Sequence, residues 1–321
     1  MAVVVGIDEA GLGPVLGPLV VSGVAISVPD DARDTSLWEL LAPAVSRKRS
    51  DKTAVAVNDS KKLYSGRAGR SLHHLERGVL AMLAAAGHHP RRLSELLALV
   101  APGAGEQRGR YPWYAGADLD LPRSVDATDV ALAGNAVKRA MSTAGVKLVG
   151  VRAEPVFVGE YNQLVAATRN KSTTAFDVTS RLLVWAWGRP GGDNVDVYVD
   201  RLGGRQRYRR CLQRVFEGCH LKVLAETESC SSYAISRGPC RLRVSFEVGQ
   251  DAKAFAAALA SMLSKYLREL FMETLNGFWA RHVPQLEPTA GYYVDGRRFY
   301  AAIQPAMAQL GVDERLVYRT R

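Results

Sequence analysis

The chain of 321 residues contains few cysteines, and they lack the spacing of a zinc site. The four thiols, at Cys211, Cys219, Cys230 and Cys240, form no C-x-x-C pair. Structural zinc sites are usually built from such pairs. The six histidines show no i, i+4 ligand spacing either. We therefore exclude a zinc-binding module of that kind and expect reduced thiols.

A hydrophobic run long enough to cross a bilayer is also missing. The longest apolar region, around Val15 to Val28, is interrupted by glycine, proline and serine, whereas a membrane-spanning helix needs about 20 apolar residues. The N-terminus has no basic region before it reaches Asp8, so no secretory signal is visible. We expect a cytoplasmic protein with no membrane partner.

Acidic residues are in the minority, with 32 Asp+Glu against 42 Lys+Arg and a formal net charge of +10. Such an excess favours a polyanionic partner, with nucleic acid first and an acidic membrane surface second. Generic basicity is the alternative. Hydrophobic and charged fractions of 47% and 23% are ordinary for a globular protein with a substantial core.

What is present is an apolar run, residues 3–7, that ends in Asp8-Glu9 and continues into a glycine-rich bend. This pattern predicts a buried strand followed by a loop that can approach a ligand closely. A carboxylate directly after a β-branched run requires a positive partner. A divalent cation is the natural candidate, since hard oxygen ligands suit magnesium or manganese. A surface turn, or the cap of a neighbouring helix, is the alternative.

Strands interleave with helices along the chain, which indicates a mixed α/β core. The predicted strands are 2–8 and 19–28, an antiparallel pair, followed by 148–158, 195–200, 222–226 and 242–248. The predicted helices are 66–86, 93–100, 126–144, 172–188, a basic segment 201–216, and a long helix 251–281.

Glycine and proline are concentrated in residues 87–123, which indicates an insertion or extended loop. Its segment 108–114 mixes arginines with aromatic residues. That mixture suits phosphate contact plus base stacking. An ordered surface loop pinned by its aromatic side chains is the alternative.

Acidic residues end two predicted strands, at Asp8-Glu9 and at Asp200, and would meet if these strands are neighbours in one sheet. Glu269 on the long helix would complete a four-carboxylate cluster. Such a cluster repels itself unless cations neutralise it. Two magnesium ions about 4 Å apart would do so and set up phosphodiester cleavage. Alternatively, Asp200 pairs with Arg201 or Arg205, and Glu269 makes an i, i+4 pair with Lys265 on a solvated face.

Several motifs resemble those of type 2 ribonucleases H, the ribonuclease HII/HIII family. The opening motif is Gly6-Ile7-Asp8-Glu9-Ala10-Gly11-Leu12-Gly13-Pro14 with Gly17-Pro18, and Asp59-Ser60-Lys61-Lys62-Leu63 follows at about the expected distance. Val197-Tyr198-Val199-Asp200 and residues 251–265 are similar to two later family segments. Tyr161-Asn162 and Asn170-Lys171 are more similar to the HIII branch. Together the motifs leave out roughly residues 87–145.

The resemblance implies a ribonuclease H-like fold, with a mixed central sheet flanked by helices and a helical C-terminal segment. The catalytic core would be residues 1–270, with an insertion at about 87–145, and residues 271–321 would pack on it. The implied activity is cleavage of the RNA strand of RNA–DNA hybrids, or at ribonucleotides embedded in DNA, with two Mg²⁺ or Mn²⁺ ions. We take a monomer as the default state.

The resemblance also implies roles for individual residues. The metal ligands and catalytic residues would be Asp8, Glu9, Asp200 and Glu269. The substrate contacts would be the backbone of Gly11, Leu12 and Gly13 at the 2′-hydroxyl, Lys61 and Lys62 at a phosphate, and Tyr292 at a sugar. The two lysines are alternatively plain surface residues, and Tyr292 a core or surface tyrosine.

The chain departs from the family pattern at several of these positions. Leu12 stands where ribonuclease HII has arginine, and Glu269 where the fourth acid is usually aspartate, although the HIII branch is described with glutamate. Thr289-Ala290 replaces His-Lys before Gly291-Tyr292. These departures leave open a catalytically impaired nucleic-acid-binding protein. A related metal-dependent DNA nuclease is a further alternative.

Overall fold

The structure, a computed structural model, describes residues 1–51, 53–64, 72–188, 194–250 and 254–320. The strands are β1 (Ala2–Ala10), β2 (Leu19–Val28), β3 (Val45–Ser46), β4 (Val55–Ala56), β5 (Lys147–Val156), β6 (Asn194–Asp200), β7 (His220–Glu226), β8 (Cys230–Arg237) and β9 (Cys240–Glu247). The helices up to residue 187 are α1 (Leu37–Leu40), α2 (Ser60–Leu63), α3 (His73–Ala85), α4 (Leu93–Val100), α5 (Ala104–Arg108), α6 (Ala127–Thr143), α7 (Val158–Thr168) and α8 (Lys171–Trp187). The later helices are α9 (Arg209–Val215), α10 (Phe255–His282), α11 (Tyr293–Leu310) and α12 (Glu314–Val317).

A seven-stranded sheet in the order β5-β2-β1-β6-β9-β8-β7 forms the centre of the fold. Strand β1 is antiparallel to β2 and parallel to β6, and β9 is parallel to β6. The outer pairs β2–β5, β9–β8 and β8–β7 are antiparallel. The sheet is therefore mixed and flanked by helices, which confirms the predicted fold class and the antiparallel pairing of the first two strands.

Helix α10 lies unusually close to the central strands. A Cβ atom at Gly6 of β1 would lie 2.0 Å from the carbonyl carbon of Ala256. Ala256, Ala257 and Ala258, at the start of this helix, are all fully buried. Small residues on both elements thus allow backbone-to-backbone packing, as the alanine-rich sequence predicts. The opposite sheet face packs on α8 through the apolar cluster that contains Val5 of β1 and Leu182 of α8.

Some sequence predictions need correction. Strand β8 was not predicted, because its Ser-rich sequence at Ser231-Ser232 has weak strand propensity, yet it pairs with strands on both sides. The strand predicted at 148–158 ends at Val156, and Val158–Thr168 form α7, a helix that was not predicted. The predicted start of one helix at residue 66, and of another at 251, lies outside the described residues.

The aromatic segment in the predicted insertion belongs to the core. Tyr111, Trp113 and Tyr114 are each less than 5% exposed, and they pack against one another and against rings such as Phe157 and Phe271. The alternative of an ordered loop pinned by its aromatic side chains is therefore correct. These rings are not available for base stacking.

The C-terminal segment is helical, as predicted, and α10 continues unbroken through the proposed division at residue 270. Arg319, near the end of the chain, contacts the loop that follows β1. The four cysteines form no disulfide bond with one another. Among the described residues, no helix combines the length and the apolar character needed to span a membrane.

Candidate active site at the carboxyl edge of the parallel strands

Asp8 and Asp200 lie at the ends of neighbouring parallel strands. In the register of β1 and β6, Ile7 is opposite Val199, so the two aspartates follow side by side on strands about 4.8 Å apart. The preceding residues Ile7 and Val199 belong to the apolar cluster that packs on α8. Because side chains alternate along a strand, Asp8 and Asp200 lie on the opposite face, which α10 covers. Asp8 is 6% exposed. The condition for the two acidic sites to meet, that their strands are neighbours in one sheet, is fulfilled.

Local hydrogen bonds orient both strand ends. Oδ1 of Asp200 accepts from the backbone N–H of Gly249 at 2.8 Å and of Gln250 at 3.3 Å. The backbone carbonyl of Asp8 accepts from the Ser264 hydroxyl at 2.9 Å, which joins β1 to α10. The alternative partner Arg205 donates to Thr173 instead, at 2.9 Å.

Sequence analysis missed a third carboxylate at this edge, that of Glu247. In the parallel register of β6 and β9, Glu247 lies directly opposite Asp200. The signal was available, because the predicted strand at residues 242–248 has an acid one residue before its end. Three adjacent parallel strands thus each carry an acidic residue on the same face near their carboxyl ends.

Glu9 occupies a different position from its neighbour Asp8. Alternation along β1 directs it to the opposite face of the sheet. It lies near enough to buried Tyr208 to affect that phenol: burial, with a smaller contribution from Glu9, raises the pKa of Tyr208 to about 12. The structure therefore does not gather Glu9 with Asp8 and Asp200 on one face.

The carboxylate of Glu269, on α10, is already contacted by three protein side chains. It accepts from the Tyr64 hydroxyl at 2.6 Å and forms an ion pair with Lys265, and Arg268 lies 3.7 Å from the same carboxylate. Its side chain is only 11% exposed. The alternative pairing with Lys265 is thus present, but it is buried rather than solvated.

The sheet edge fits a divalent cation better than the Glu269 position does. Asp8 and Asp200 offer the hard oxygen donors that magnesium and manganese prefer. Glu269 is already neutralised by Lys265. In the part of the chain that the structure describes, no three Asp, Glu, His or Cys side chains are grouped closely enough to hold a metal ion. The described residues therefore form no assembled metal site, and Asp8 and Asp200 are the candidate ligands at this edge.

The buried Glu269–Lys265 pair leads to a pH-dependent stability prediction. Burial opposes ionisation of Glu269, but Lys265 and the hydrogen bond from Tyr64 outweigh it and hold the pKa of this carboxyl below its ordinary 4.5. A carboxyl whose pKa falls on folding stabilises the fold above its ordinary pKa and loses that contribution as the pH falls through the folded value. We expect Glu269→Gln to lower the free energy of unfolding by about 3 kcal/mol at neutral pH.

Urea unfolding from pH 7 to below pH 4.5 would test this, since the difference in unfolding free energy between wild type and Glu269→Gln should narrow as the pH falls below the ordinary pKa of 4.5. Glu273→Gln is the matched control on the same helix, because Glu273 pairs with Arg123 at 2.6 Å but is 37% exposed. It should cost less than about 1 kcal/mol. A gap that does not change with pH would contradict the expected role of the buried pair.

Two buried arginines hold the glycine-rich loop after β1. Arg319, 1% exposed, donates to the carbonyl oxygens of Gly11 at 2.5 Å and of Gly17 at 2.9 Å. Arg268 donates to the carbonyl of Leu16 at 3.3 Å. Hydrogen bonds from charged donors are worth about 1.5–3 kcal/mol each. The loop is therefore preorganised by side chains far away in the sequence.

The backbone of this loop is shaped for close approach. Gly11 has φ +92°, and a Cβ there would lie 2.4 Å from Nε of Arg268, so only glycine fits. Leu12 is half-buried and packs on the α8 side of the sheet. Gly13 is exposed, and no atom lies within 4 Å of where its Cβ would be. A ligand can thus contact the main chain at Gly13.

Tyr292 lies beside the same loop. The carbonyl of the preceding Gly291 accepts from the backbone N–H of Val15 at 2.8 Å and of Leu16 at 3.2 Å. Tyr292 is 52% exposed, and its ring centre is 6.0 Å from the guanidinium carbon of Arg268. It is a surface tyrosine that follows the residue hydrogen-bonded to the buried part of the loop at Val15 and Leu16.

Lys61 and Lys62 are exposed on the short helix α2. Asp59 caps this helix by accepting from the backbone N–H of Lys61 at 2.8 Å. The hydroxyl of Ser60 lies 2.9 Å from that of Ser261, so α2 rests on α10. The two lysines are thus placed beside the helix that also contacts the end of β1.

No protein-family model matches the chain, and no curated protein matches it. Solved structures do. Ribonuclease HII of Archaeoglobus fulgidus, solved in a complex with PCNA, is 17% identical, with 99% of this chain and 94% of that chain covered and a TM-score of 0.43. Ribonuclease H2 of Pyrococcus horikoshii OT3 is 15% identical, with coverage of 98% and 92% and a TM-score of 0.42.

Bst-ribonuclease HIII, solved in complex with Mn²⁺, is 13% identical, with coverage of 99% of this chain and 66% of that chain and a TM-score of 0.41. Similarity at these identities and TM-scores assigns no activity to this chain. The proteins found are nevertheless of the type that its sequence motifs resemble: this chain is similar to ribonucleases HII and HIII.

Proposed function

We propose that this protein is a metal-dependent endoribonuclease that hydrolyses the RNA strand of RNA–DNA hybrids, or cuts at ribonucleotides embedded in DNA. The observation that carries the proposal is the position of Asp8 and Asp200, side by side at the ends of two parallel strands. The preorganised loop at Gly11–Gly13 begins three residues after Asp8.

In this proposal Asp8 and Asp200 hold Mg²⁺ or Mn²⁺, and Glu269 and Glu9 complete the ligand set, which requires the Glu9 side chain to turn from the opposite face of the sheet toward the cation. Bound divalent ions would activate a water and stabilise the leaving 3′-oxygen. Glu269 can contribute only when it exchanges Lys265 for the cation. The chain's own part is to fix the two aspartates, through backbone hydrogen bonds at Asp200 and through the contact of β1 with α10.

Recognition of RNA rests on the loop and its surroundings. The backbone at Gly11, Leu12 and Gly13, of which Gly13 is exposed, is proposed to contact a 2′-hydroxyl, the group that distinguishes RNA from DNA. Lys61 and Lys62 are exposed cations for a phosphate, and exposed Tyr292 offers a ring to the neighbouring sugar. A basic protein of this kind should bind its substrate more tightly at low salt.

One observation favours a competing function, a hybrid-binding protein with impaired catalysis. The ammonium of Lys265 and the guanidinium of Arg268 already provide positive charge beside Glu269. If this arrangement persists in the complex, fewer carboxylates remain for metal ions. Such a protein would bind hybrids without a requirement for Mg²⁺.

A panel of end-labelled substrates tests the proposal, with Mg²⁺ and Mn²⁺ in separate reactions. It contains an RNA–DNA hybrid, a DNA duplex with one ribonucleotide, and an all-DNA duplex of the same sequence. We expect cutting of an RNA-containing substrate and none of the all-DNA duplex. Cutting of all three would indicate a DNA nuclease, and binding without cutting would indicate the impaired protein.

A further inference from the structure

We propose that the exposed face of strands β9, β8 and β7, beside the part of the sheet that α10 covers, binds the phosphodiester backbone of the duplex that flanks the cleavage site. This inference rests on the proposed function, because it extends the substrate contact beyond the acidic edge. We call this surface the open sheet face. Its basic residues are Arg33, His220, Lys222, Arg241 and Arg243.

The open sheet face is the side of this half-sheet that points away from α8 and α9. On β9, Leu242 and Val244 point into the α8 cluster. Arg241 and Arg243, which alternate with them along the strand, are exposed on the other side. A depression of about 410 Å³ there is lined almost entirely by strand residues. Ala234 and Ser236 of β8 lie in the middle of it. Small side chains in the centre leave room for a ligand between the flanking cations.

The charge of this face suits a polyanion. Its acid Asp196 is 6% exposed, and its Oδ2 accepts from Nε of Arg33 at 2.9 Å. Nε of Arg243 lies 4.0 Å from the other carboxylate oxygen, which is buried and accepts no hydrogen bond from the described residues. Because Arg33 compensates this carboxylate, the charges of Lys222, Arg241 and Arg243 remain in excess.

The arrangement of the cations fits an extended backbone rather than a single small anion. In the cross-strand register, Arg243 is opposite Ala234, which is opposite Lys222. Two strand spacings separate the cations, about 10 Å in total. With Arg241 two residues farther along β9, the cations are spread over two strands, which matches a nucleic acid that carries phosphates along its whole length.

The open sheet face also leads directly to the acidic edge. Arg243 and Glu247 are on the same side of β9, four residues apart, which corresponds to about 13 Å along the strand. At about 3.4 Å per base pair, this is the length of roughly four base pairs. A duplex cut at the acidic edge can therefore reach the open sheet face with its flank, provided that the flank is long enough.

The test is the salt dependence of hybrid binding by the full chain in EDTA, measured by fluorescence anisotropy. The longer hybrid is two helical turns long. The shorter one has about six base pairs closed by a loop, so each side of it is shorter than the roughly four base pairs between the acidic edge and the open sheet face. We expect Arg241→Ser/Arg243→Ser to reduce the slope of log K against log salt by about 2 for the longer hybrid. Binding should weaken by at least about tenfold at ~0.1 M salt. The shorter hybrid, centred on the acidic edge, should be affected much less.

Lys138→Ser/Arg139→Ser is the matched control, because it also removes two positive charges. Both residues are exposed and adjacent on α6, which is not part of the open sheet face. It should leave the slope unchanged. Equal slopes for the wild type and Arg241→Ser/Arg243→Ser would overturn the proposal. Cleavage of the shorter hybrid, measured separately with Mn²⁺, tests the proposed function independently of the open sheet face. If that activity is retained while the slopes are equal, only the open sheet face fails; if the slope falls without any cleavage, only the proposed function fails.

Discussion

Asparagine in place of Asp8 is expected to lower the rate of hybrid cleavage by more than about 100-fold. Loss of a residue that only orients a metal ligand costs up to about 100-fold, and loss of a ligand itself should cost more. The substitution keeps the size of the side chain but removes the negative charge that would hold a cation. The contact of β1 with α10 uses the Asp8 backbone carbonyl, which is retained. Binding of the hybrid should therefore survive the loss of cleavage.

Initial rates with Mn²⁺ would measure this effect, with thermal unfolding as a check on the fold. Glu154→Gln is the matched control, since it makes the same carboxylate-to-amide change on β5, at the far edge of the same sheet. Glu154 pairs with Arg152 at 2.9 Å and lines no part of the acidic edge. Wild-type rates for Asp8→Asn would contradict the role of this aspartate.

Alanine in place of Gly6 is expected to destabilise the fold by more than about 3 kcal/mol, at or above the upper end of the usual cost of overpacking. The new methyl group would lie 2.0 Å from backbone atoms of Ala256 and Ala257, which cannot rotate away as a flexible side chain can. Helix α10 would have to move off β1. The same movement would separate the end of β1 from Ser264.

Urea unfolding would measure the loss, and Gly13→Ala serves as its control. A Cβ at Gly13 meets no atom within 4 Å, and its φ is not left-handed. That variant should unfold at the wild-type midpoint. If Gly6→Ala did the same, the close packing of α10 on β1 would be contradicted.

Local patterns predicted the parts of the fold that depend on neighbouring residues. The apolar run before Asp8 predicts β1, and Asp126 caps α6 as expected by accepting from Thr128 at 2.7 Å. Helix α4 has the predicted position at Leu93–Val100. In each of these cases, periodicity or a cap within a few residues contains the information.

Long-range contacts account for most of what sequence analysis missed. Arg319 donates a hydrogen bond to Gly17, which lies 302 residues away in the sequence. No local pattern indicates that this arginine is buried against the loop. The burial of Trp113 depends on rings contributed by distant elements. Glu247 is placed beside Asp200 only by the strand register.

The candidate site was predicted only in part, for the same reason. Adjacent parallel strands bring Asp8 and Asp200 together, as their positions at strand ends indicated. Side-chain alternation separates Glu9 from them, and Lys265 neutralises Glu269. These last two features follow from the face of the strand and from the burial of the helix, neither of which is evident in a motif.

The most direct test of the central claim is the chemistry of the ends produced from the hybrid in the substrate panel. Water attack that displaces the 3′-oxygen leaves a 5′-phosphate and a 3′-hydroxyl, whereas attack by the RNA's own 2′-hydroxyl leaves a 2′,3′-cyclic phosphate. We predict 3′-hydroxyl RNA fragments that form with Mn²⁺, disappear with EDTA and are absent with Asp8→Asn. Cyclic phosphate ends, or cutting that persists in EDTA, would contradict the metal-dependent mechanism.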